Sequence, residues 1–416
     1  MDRNILNSLK EFAGHQLNNV ILPFWEKNIP DEINGGFLGE VNEQNQLNPD
    51  APKGIILNAR LLWAFSAVYG RYRQEKHLVL ARRALDYLER CFEDKRFGGY
   101  FWTLHPDGSL INGKKQVYAQ AFVCYALAEY SIQTGESRAG EKAFAIYKMI
   151  EETAFDPVKN GYFEAFSREW EELDDLRLSS LDMNEKKTMN THLHILEAYT
   201  RLYAIKKDPI LRQSIKNLLE VLYNHILNEE KDHLNLFFDE NWALKSSKVS
   251  YGHDIESAWL MRKSALTIGD PKEIRHFSKV CIDLAGSALS GIRETGGLIH
   301  EYYPGHKITE EFEWWTQAEA IVGFLDAWEI SGELKFLTAA HSLTRFIEEY
   351  FVDKTFGEWY YRVDEKGIPV KGYEKAGFWK CPYHGVRMCL QVMERISRLE
   401  TLSLLPKVNY PQKNTN

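Results

Sequence analysis

The sequence predicts an all-α fold: an (α/α)6 barrel of six inner and six outer helices, with short β-hairpins gathered at one end. Three observations carry this expectation. A glycine–aromatic unit recurs six times along the 416 residues. Consecutive units enclose two stretches of helical periodicity. The last helical stretch has no partner unless the N-terminal segment supplies one.

The units come first. Gly98-Gly99-Tyr100-Phe101-Trp102 is the plainest, followed by the turn signal Pro106-Asp107-Gly108. Gly35-Gly36-Phe37, Gly161-Tyr162-Phe163, Gly296-Gly297-Leu298 and Gly357 to Tyr361 repeat it, and a weaker copy places Asn235 in the glycine position. Glycine supplies turn conformations closed to other residues, and alternating aromatics suit short strands. Each copy therefore reads as a small β-hairpin, closing the barrel end or walling a pocket.

The helices follow in order. After the first unit come NARLLWAFSAVYG and KHLVLARRALDYLERCF; after the second, VYAQAFVCYALAEYSIQTG and RAGEKAFAIYKMIEETAF. The third, fourth and fifth units are followed by pairs of the same kind. The sixth is followed by PYHGVRMCLQVMERISRL alone, whose partner must be RNILNSLKEFAGHQLNNVIL at the N-terminus. That pairing closes the array into a ring. The first member of each pair has few charges and is inner; the second carries Lys, Arg and Glu on one face and is outer. Inner-to-outer links are short and contain Gly70, Gly135, Gly269 or Gly332, as helix C-caps do. Residues 1–403 read as a single barrel domain and 404–416 as a frayed tail.

Composition excludes several function classes. The net charge is -8 with no basic run, so nucleic acid is not an expected partner. No window approaches 18 apolar residues, so no membrane span is expected. The first residues lack an apolar signal region, and the five cysteines are scattered without a CxxC pair, which favours free thiols and a cytoplasmic location. Aromatics make up 13% of the chain, with 11 Trp, a surplus that suits stacking on sugar rings. The expected partner is a small-molecule sugar, and the expected state a monomer or weak homodimer.

With all six long links at one end, the N-termini of the inner helices converge on one mouth. Polar residues cluster in their first turns: Arg60, preceded by Asn58 as a plausible N-cap; Tyr118 and Gln120; Asn190 and His194; His253 and Glu256; Trp315 and Glu319; and Trp379 and His384, flanking Pro382. His192 and His194, two apart, point to opposite sides of a helix, whereas Asn190 and His194 share a face. His194 is therefore the working residue and His192 structural. The Glu256 carboxylate, three residues from His253, could orient that imidazole, or the two could bind metal. No HExxH or CxxC supports a metal, and none is expected. Arg60 needs an acidic partner or an anionic substrate. Glu319 could hold substrate or complete a capping box with Thr316. Trp315 and Trp379 could be core or sugar platforms, and His384 could be a satisfied buried histidine. The acidic link 167–187 is a lid or a solvated loop. There is no GxGxxG, P-loop or GxSxG. Histidines with one arginine and no cofactor motif suit proton abstraction beside a carbonyl, as at C2 of an open-chain aldose.

Four segments, MNTHLHILEAY, YGHDIESAWL, EWWTQAEAIVGF and GFWKCPYHGVRM, together resemble the N-acylglucosamine 2-epimerase superfamily, and within it the cellobiose 2-epimerases. The resemblance spans essentially the whole chain. It implies an (α/α)6 barrel that inverts C2 of the reducing-end glucose of β-1,4-linked disaccharides without metal or nucleotide, turning cellobiose into glucosyl-mannose and lactose into epilactose. It further implies that His384 and His253 are the acid–base groups flanking C2, and that His194 moves protons among the ring and carbonyl oxygens. Arg60, Tyr118 and Asn190 would bind oxygens around C1 and C2, and Glu256 would assist ring opening or orient its neighbours. Trp315 and Trp379 would stack on sugar, and Glu319 would hold hydroxyls. Related activities on N-acyl sugars or mannose, or glycoside hydrolysis in the same barrel, stand as alternatives.

Overall fold

A computed structural model describes residues 2–306 and 311–404. The N-terminal outer helix α1 (Asp2–His15) runs through a π-helical segment (Gln16–Ile21) into α2 (Leu22–Lys27). Inner and outer helices then alternate: α3 (Ile55–Tyr72) and α4 (Glu75–Tyr87), α5 (Val117–Thr134) and α6 (Ser137–Thr153), α7 (Met189–Ile205) and α8 (Pro209–Val221). The series ends with α9 (Tyr251–Ile268) and α10 (Pro271–Ala288), α11 (Trp314–Ser331) and α12 (Leu334–Phe346), and the inner helix α13 (Tyr383–Leu404). This is the expected (α/α)6 barrel. The segment expected to fray, 404–416, lies outside the described residues beyond Leu404. Among the described residues no helix is long and apolar enough to cross a membrane, and the five cysteines are free thiols.

Inner helices pack around the axis on all sides, which is why α5 is buried along nearly its whole length and reads as apolar throughout. The ring closes as the orphan last helix requires: α1 packs against α13 and α12. Trp359 donates its indole N–H to Gln16 Oε1 at 2.8 Å, and Val41 N–H reaches Ala376 O at 2.8 Å, tying the sixth link to the first. Gly135, Gly269 and Gly332 cap α5, α9 and α11 in left-handed conformation, as expected. Gly70 does not cap α3; Arg73 does, at φ 54°. Gly70 lies inside that helix, where a Cβ would come within 2.1 Å of Gln133 Oε1, so it permits close packing of α3 on α5 instead.

The links depart from the expected hairpins. The residue after each glycine makes a single β-bridge back to the end of the preceding outer helix: Tyr100 to Glu93, Tyr162 to Phe155, Leu234 to Leu227, Leu298 to Ile292. In the fourth of the six links this register puts His233, not Asn235, in the glycine position. True strands are two or three residues long and mostly join neighbouring links. Residues 53–54 pair antiparallel with 103–104, 115–116 with 165–166, 187–188 with 237–238, 249–250 with 301–302, and 312–313 with 362–363. The strands thus stitch the mouth into a ring, and the expected hairpins form within the first link, where 40–41 pair with 47–48, and within the second, where 103–104 pair with 110–112.

One buried device recurs in four links. An aspartate at the link's start accepts two backbone N–H groups of the tight turn and takes a buried lysine on its other oxygen. Asp156 accepts from Val158 and Lys159 and pairs with Lys187 Nζ at 2.7 Å; Asp31–Lys53, Asp94–Lys115 and Asp353–Lys375 repeat it. Lys187 also donates to the carbonyl of Asn160, at 2.7 Å, so it pins both ends of the turn. Gly161, at φ 87°, is required there, since a Cβ would fall 2.4 Å from Trp242 and 2.7 Å from His192 Nε2. Removing the cation alone leaves a buried carboxylate without its charge partner. We therefore expect Lys187→Met to lower unfolding free energy by about 3 kcal/mol in urea titrations; a loss near zero would show that the turn stands without its ion pair.

Candidate active site

A cavity of about 290 Å³ opens at the mouth, where the N-termini of the inner helices converge. Of the residues singled out from the sequence, Arg60, Tyr118, Asn190, His194, His253, Glu256, Trp315, Trp379 and His384 line it; Glu319 lies beneath and does not. The link 167–187 lends Leu176, Ser179 and Asp182 to the cavity wall while Leu181 stays 87% exposed. Gln120 does not face the cavity. It brackets Tyr100, accepting from its N–H at 2.9 Å and donating to its C=O at 3.0 Å.

His192 does the same structural work on α7. Its Nδ1 lies 2.6 Å from Thr188 O, and its Nε2 accepts the Tyr162 N–H at 2.8 Å. Asp254 and Gln317 accept the N–H groups of Leu234 and Leu298 in the same way, so four inner helices grip the link before them with three kinds of side chain, glutamine being used twice.

The three mouth histidines share one arrangement. His194 Nδ1 meets Glu197 Oε2 at 2.9 Å, His384 Nδ1 meets Glu319 Oε1 at 2.7 Å, and His253 Nδ1 meets Ser250 Oγ at 2.8 Å. Each commits Nδ1 to the protein and leaves Nε2 for a ligand. His253 and His384 come from α9 and α13, with α11 between them, and the Trp315 ring lies 4.8 and 5.6 Å from their centroids. Gly252 makes this approach possible, because a Cβ there would sit 2.7 Å from the Trp315 ring. Burial pushes both His253 and His384 well below the usual histidine range; neighbouring charges, His300 for His253 and Arg60 with Arg387 for His384, push the same way.

Arg387, which the sequence reading passed over, organises the floor. Its Nη2 lies 2.6 Å from Glu256 Oε1 and 2.7 Å from Glu319 Oε1, while Nη1 contacts Glu197 Oε1 and the Tyr383 hydroxyl. The guanidinium is 1% exposed and lies over the Trp259 and Tyr383 rings. Glu197 and Glu319 in turn carry His194 and His384. Two sequence expectations are corrected here. Glu256 does not orient His253, whose Nδ1 is held by Ser250 Oγ while Glu256 Oε1 meets Arg387. Glu319 is not a capping-box residue, and the helix it belongs to begins at Trp314 with Glu313 at the cap. Glu256, Glu319 and His384 form a ligand-like trio, but the cation already seated between the two carboxylates is the guanidinium.

Of the two expectations for Arg60, the acidic structural partner is not met. No carboxylate pairs with it among the described residues. It donates to the Tyr118 hydroxyl at 2.8 Å, and its guanidinium carbon lies 4.3 Å from the Phe122 centroid. Asn58 is not its N-cap. α3 starts at Ile55 behind Gly54, and Asn58 donates to Gly54 O from inside the helix at 2.8 Å. Asn190 Oδ1 is buried without a partner. Trp315 is anchored through its indole N–H to Glu313 Oε2 at 2.7 Å, and Trp379 packs 6.1 Å from both Trp102 and Tyr118.

The pattern could have been found. His194-Ile-Leu-Glu197, His253-Asp-Ile-Glu256 and His384-Gly-Val-Arg387 each place a charge one helical turn beyond a histidine, on the same face. The arrangement offers three imidazoles for proton transfer, one unneutralised guanidinium for a developing oxyanion, and an aromatic wall.

The chain matches the family model described as N-acylglucosamine 2-epimerase over residues 36–387. It is 42% identical to a cellobiose 2-epimerase of Bacteroides fragilis, over 92% of this chain and 98% of that one. Its structure superposes on a cellobiose 2-epimerase from Bacillus thermoamylovorans with a TM-score of 0.89 at 38% identity, covering 94% of this chain and all of the other. A D-mannose isomerase shares the fold, with a TM-score of 0.78 at 18% identity over 95% and 99% of the two chains.

Replacing Arg387 by Met would leave Glu197, Glu256 and Glu319 facing one another without their cation. Glu256 is already pushed up to about 7 by burial and by Glu319. Without Arg387, Glu256 and Glu319 rise further above the ordinary carboxylate value and Glu197 loses the main charge that holds it below that value, so the folded state takes up protons more readily. Stability should fall by about 3–5 kcal/mol at pH 8 and by less at pH 6, where the carboxyls can take protons. Urea titrations at both pH values test this; an equal loss at both would mean that the guanidinium acts by packing alone.

Proposed function

The chain belongs to the N-acylglucosamine 2-epimerase family, and from that premise we propose that it inverts C2 of the reducing-end glucose of β-1,4-linked disaccharides, cellobiose first and lactose with it, by histidine acid–base transfer. It is a carbohydrate epimerase, an enzyme of the isomerase class. The observation that carries the finer reading is the pair His253 and His384. They reach one cavity from two helices, each with Nδ1 committed and Nε2 free.

Either face of C2 can then meet an imidazole. In the open-chain aldose, one neutral imidazole takes the C2 proton. The C–H electrons form the C1–C2 double bond of an enediolate, and the carbonyl pair moves onto O1. The other imidazole, neutral in the resting site, takes a proton from solvent as the enediolate's negative charge develops and delivers it to C2 from the opposite face, and the carbonyl re-forms. Arg60, which lacks a carboxylate partner, and Tyr118 are placed to bear the O1 and O2 charge. Asn190 offers its free Oδ1 to a hydroxyl. His194, backed by Glu197, would shuttle protons in ring opening and closure, with Glu256 and Glu319 fixed on Arg387. Trp315 and Trp379 would take the faces of the sugar rings. Glycoside hydrolysis needs two carboxyls free to serve as acid and nucleophile or base. Glu256 and Glu319 both lie against Arg387, which argues against that alternative.

Incubation with cellobiose in D2O, followed by NMR, should give the mannose epimer with solvent deuterium at C2. His253→Ala and His384→Ala should each lower turnover by roughly 10²–10⁴-fold. If both variants kept near-normal turnover, the assignment of the two histidines would fail. Faster turnover of N-acylglucosamine or mannose than of cellobiose would replace the substrate but not the site.

The acid limb of kcat/KM follows from the depressed histidines. A base must be neutral, and burial lets His253 and His384 stay neutral further into acid than a free histidine. The fall in kcat/KM should therefore lie below pH 6.5, the ordinary histidine value. A limb centred at or above that value would contradict histidine bases held neutral by burial.

A further inference from the structure

His300 belongs to the fifth link and lies between two cavities, the catalytic one and a neighbouring one of about 270 Å³ lined also by Lys248, Glu301 and Arg362. Its ring is 5.1 Å from Trp315 and 6.1 Å from His253. Its Nδ1 lies 3.5 Å from Glu313 Oε1 and 3.6 Å from Glu301 Oε1, and its Nε2 is buried without a partner. Glu313 is the hub of this corner. It accepts the Trp315 indole N–H, takes Arg362 on Oε1, and faces His300 with the same oxygen. The carboxylate therefore fixes the aromatic wall and the imidazole as one unit.

We infer that His300 is a further substrate-binding residue of this site, donating from Nε2 to a hydroxyl of the sugar seated against Trp315. The inference rests on the proposed sugar epimerase activity and goes beyond it, because the sequence motifs that carry the resemblance do not include this residue. An unsatisfied buried ring nitrogen is costly in the unliganded protein; a ligand hydroxyl in the cavity it lines would relieve that cost. A donor fits better than an acceptor because Glu313 favours a protonated ring.

The charges around His300 make it a second influence on His253. Glu313 from the strand before α11 and the adjacent Glu301 favour its charge; Arg362 from the sixth link opposes it. Lys248 from the fourth link is neutralised by Glu301 at 2.7 Å, and His253 faces it from α9. Burial is the largest single influence and works against protonation, but Glu313 and Glu301 together outweigh it, and His300 is raised from the ordinary histidine value. A cationic His300 beside His253 lowers the latter. His300 thus binds sugar directly and, through its field, helps keep His253 neutral.

Two variants separate these effects from folding. His300→Gln keeps a donor and loses the charge; His300→Leu loses both. On cellobiose, the wild-type protein first establishes that epimerisation occurs; its failure there would strike the proposed function and leave His300 unjudged by kinetics. In an active enzyme, His300→Leu should raise KM roughly ten- to hundred-fold, the cost of a hydrogen bond from a charged donor, while His300→Gln retains part of the affinity. Both variants should move the acid limb of kcat/KM to higher pH, because His253 gains a proton more readily without the neighbouring charge. Carbon-13 histidine NMR of the unliganded protein reads the same upward shift at His253 without any turnover. Unchanged KM, an unmoved acid limb and an unmoved His253 titration in two folded variants would overturn the inference.

Discussion

One buried guanidinium governs the rest of the mouth. Arg387 on α13 meets Glu197 from α7, Glu256 from α9 and Glu319 from α11. Removing a guanidinium and the carboxyls that face it from water is expensive, and their mutual attraction recovers that cost only when geometry and hydrogen bonding are nearly complete. Here they are: the Tyr383 hydroxyl donates to Glu197 at 2.6 Å, and Trp259 donates to Glu319 at 3.1 Å. The cluster fixes the relative positions of four inner helices at the depth where their histidines emerge. Moving any one helix would expose an uncompensated charge, so the spacing of His194, His253 and His384 inherits the stiffness of the ionic floor.

That floor sets up an electrostatic tension in the site above it. Arg60, Arg387 and the N-termini of the inner helices all favour negative charge, and burial disfavours imidazolium. Both effects hold His253 and His384 neutral. The carboxylates that could reverse this, Glu197 and Glu319, are spent on Arg387 as well as on their histidines. Each therefore orients an imidazole through Nδ1 while its own charge is shared with the guanidinium. For His384 the result is a base that is aimed but not protonated, a combination that a free carboxylate beside a histidine would not give.

Much of this was legible in the chain because the repeat is long and each copy repeats the same physical demands. Helix type, the inner and outer classes and ring closure follow from periodicity, from charge on one face and from an unpartnered last helix. The convergence of Arg60, Asn190, His253 and His384 follows from the topology alone. The links were harder. Glycine followed by aromatics signals a turn, but whether the turn closes on itself or on its neighbour depends on partners about 50 residues away, as in the pairing of Lys187 with Phe238. Arg387 was missed for a related reason. A lone arginine in a helix reads as surface until three glutamates on three other helices are seen to meet it. Asn58 and Gly70 misled because an N-cap residue and a C-cap glycine also suit helix interiors where neighbours pack closely.

The unsatisfied groups complete the physical case. A folded protein seldom leaves buried polar atoms without partners, and among the described residues several such atoms lie at the cavity: Arg60 Nε, Asn190 Oδ1 and His300 Nε2. Arg60 is also a buried cation with no carboxylate beside it, although acidic side chains are plentiful one layer below. Elsewhere the same chain neutralises buried charge, as in the four aspartate–lysine pairs, the Lys380–Glu358 pair and the Arg387 cluster. Arg60, Asn190 and His300 all border the cavity where a ligand would sit. On the proposed reaction the missing anion is the enediolate oxygen, and the missing hydrogen-bond partners are sugar hydroxyls. The site bears its electrostatic cost while empty and recovers it as charge develops on the substrate, which is the condition for stabilising the transition state more than the bound sugar.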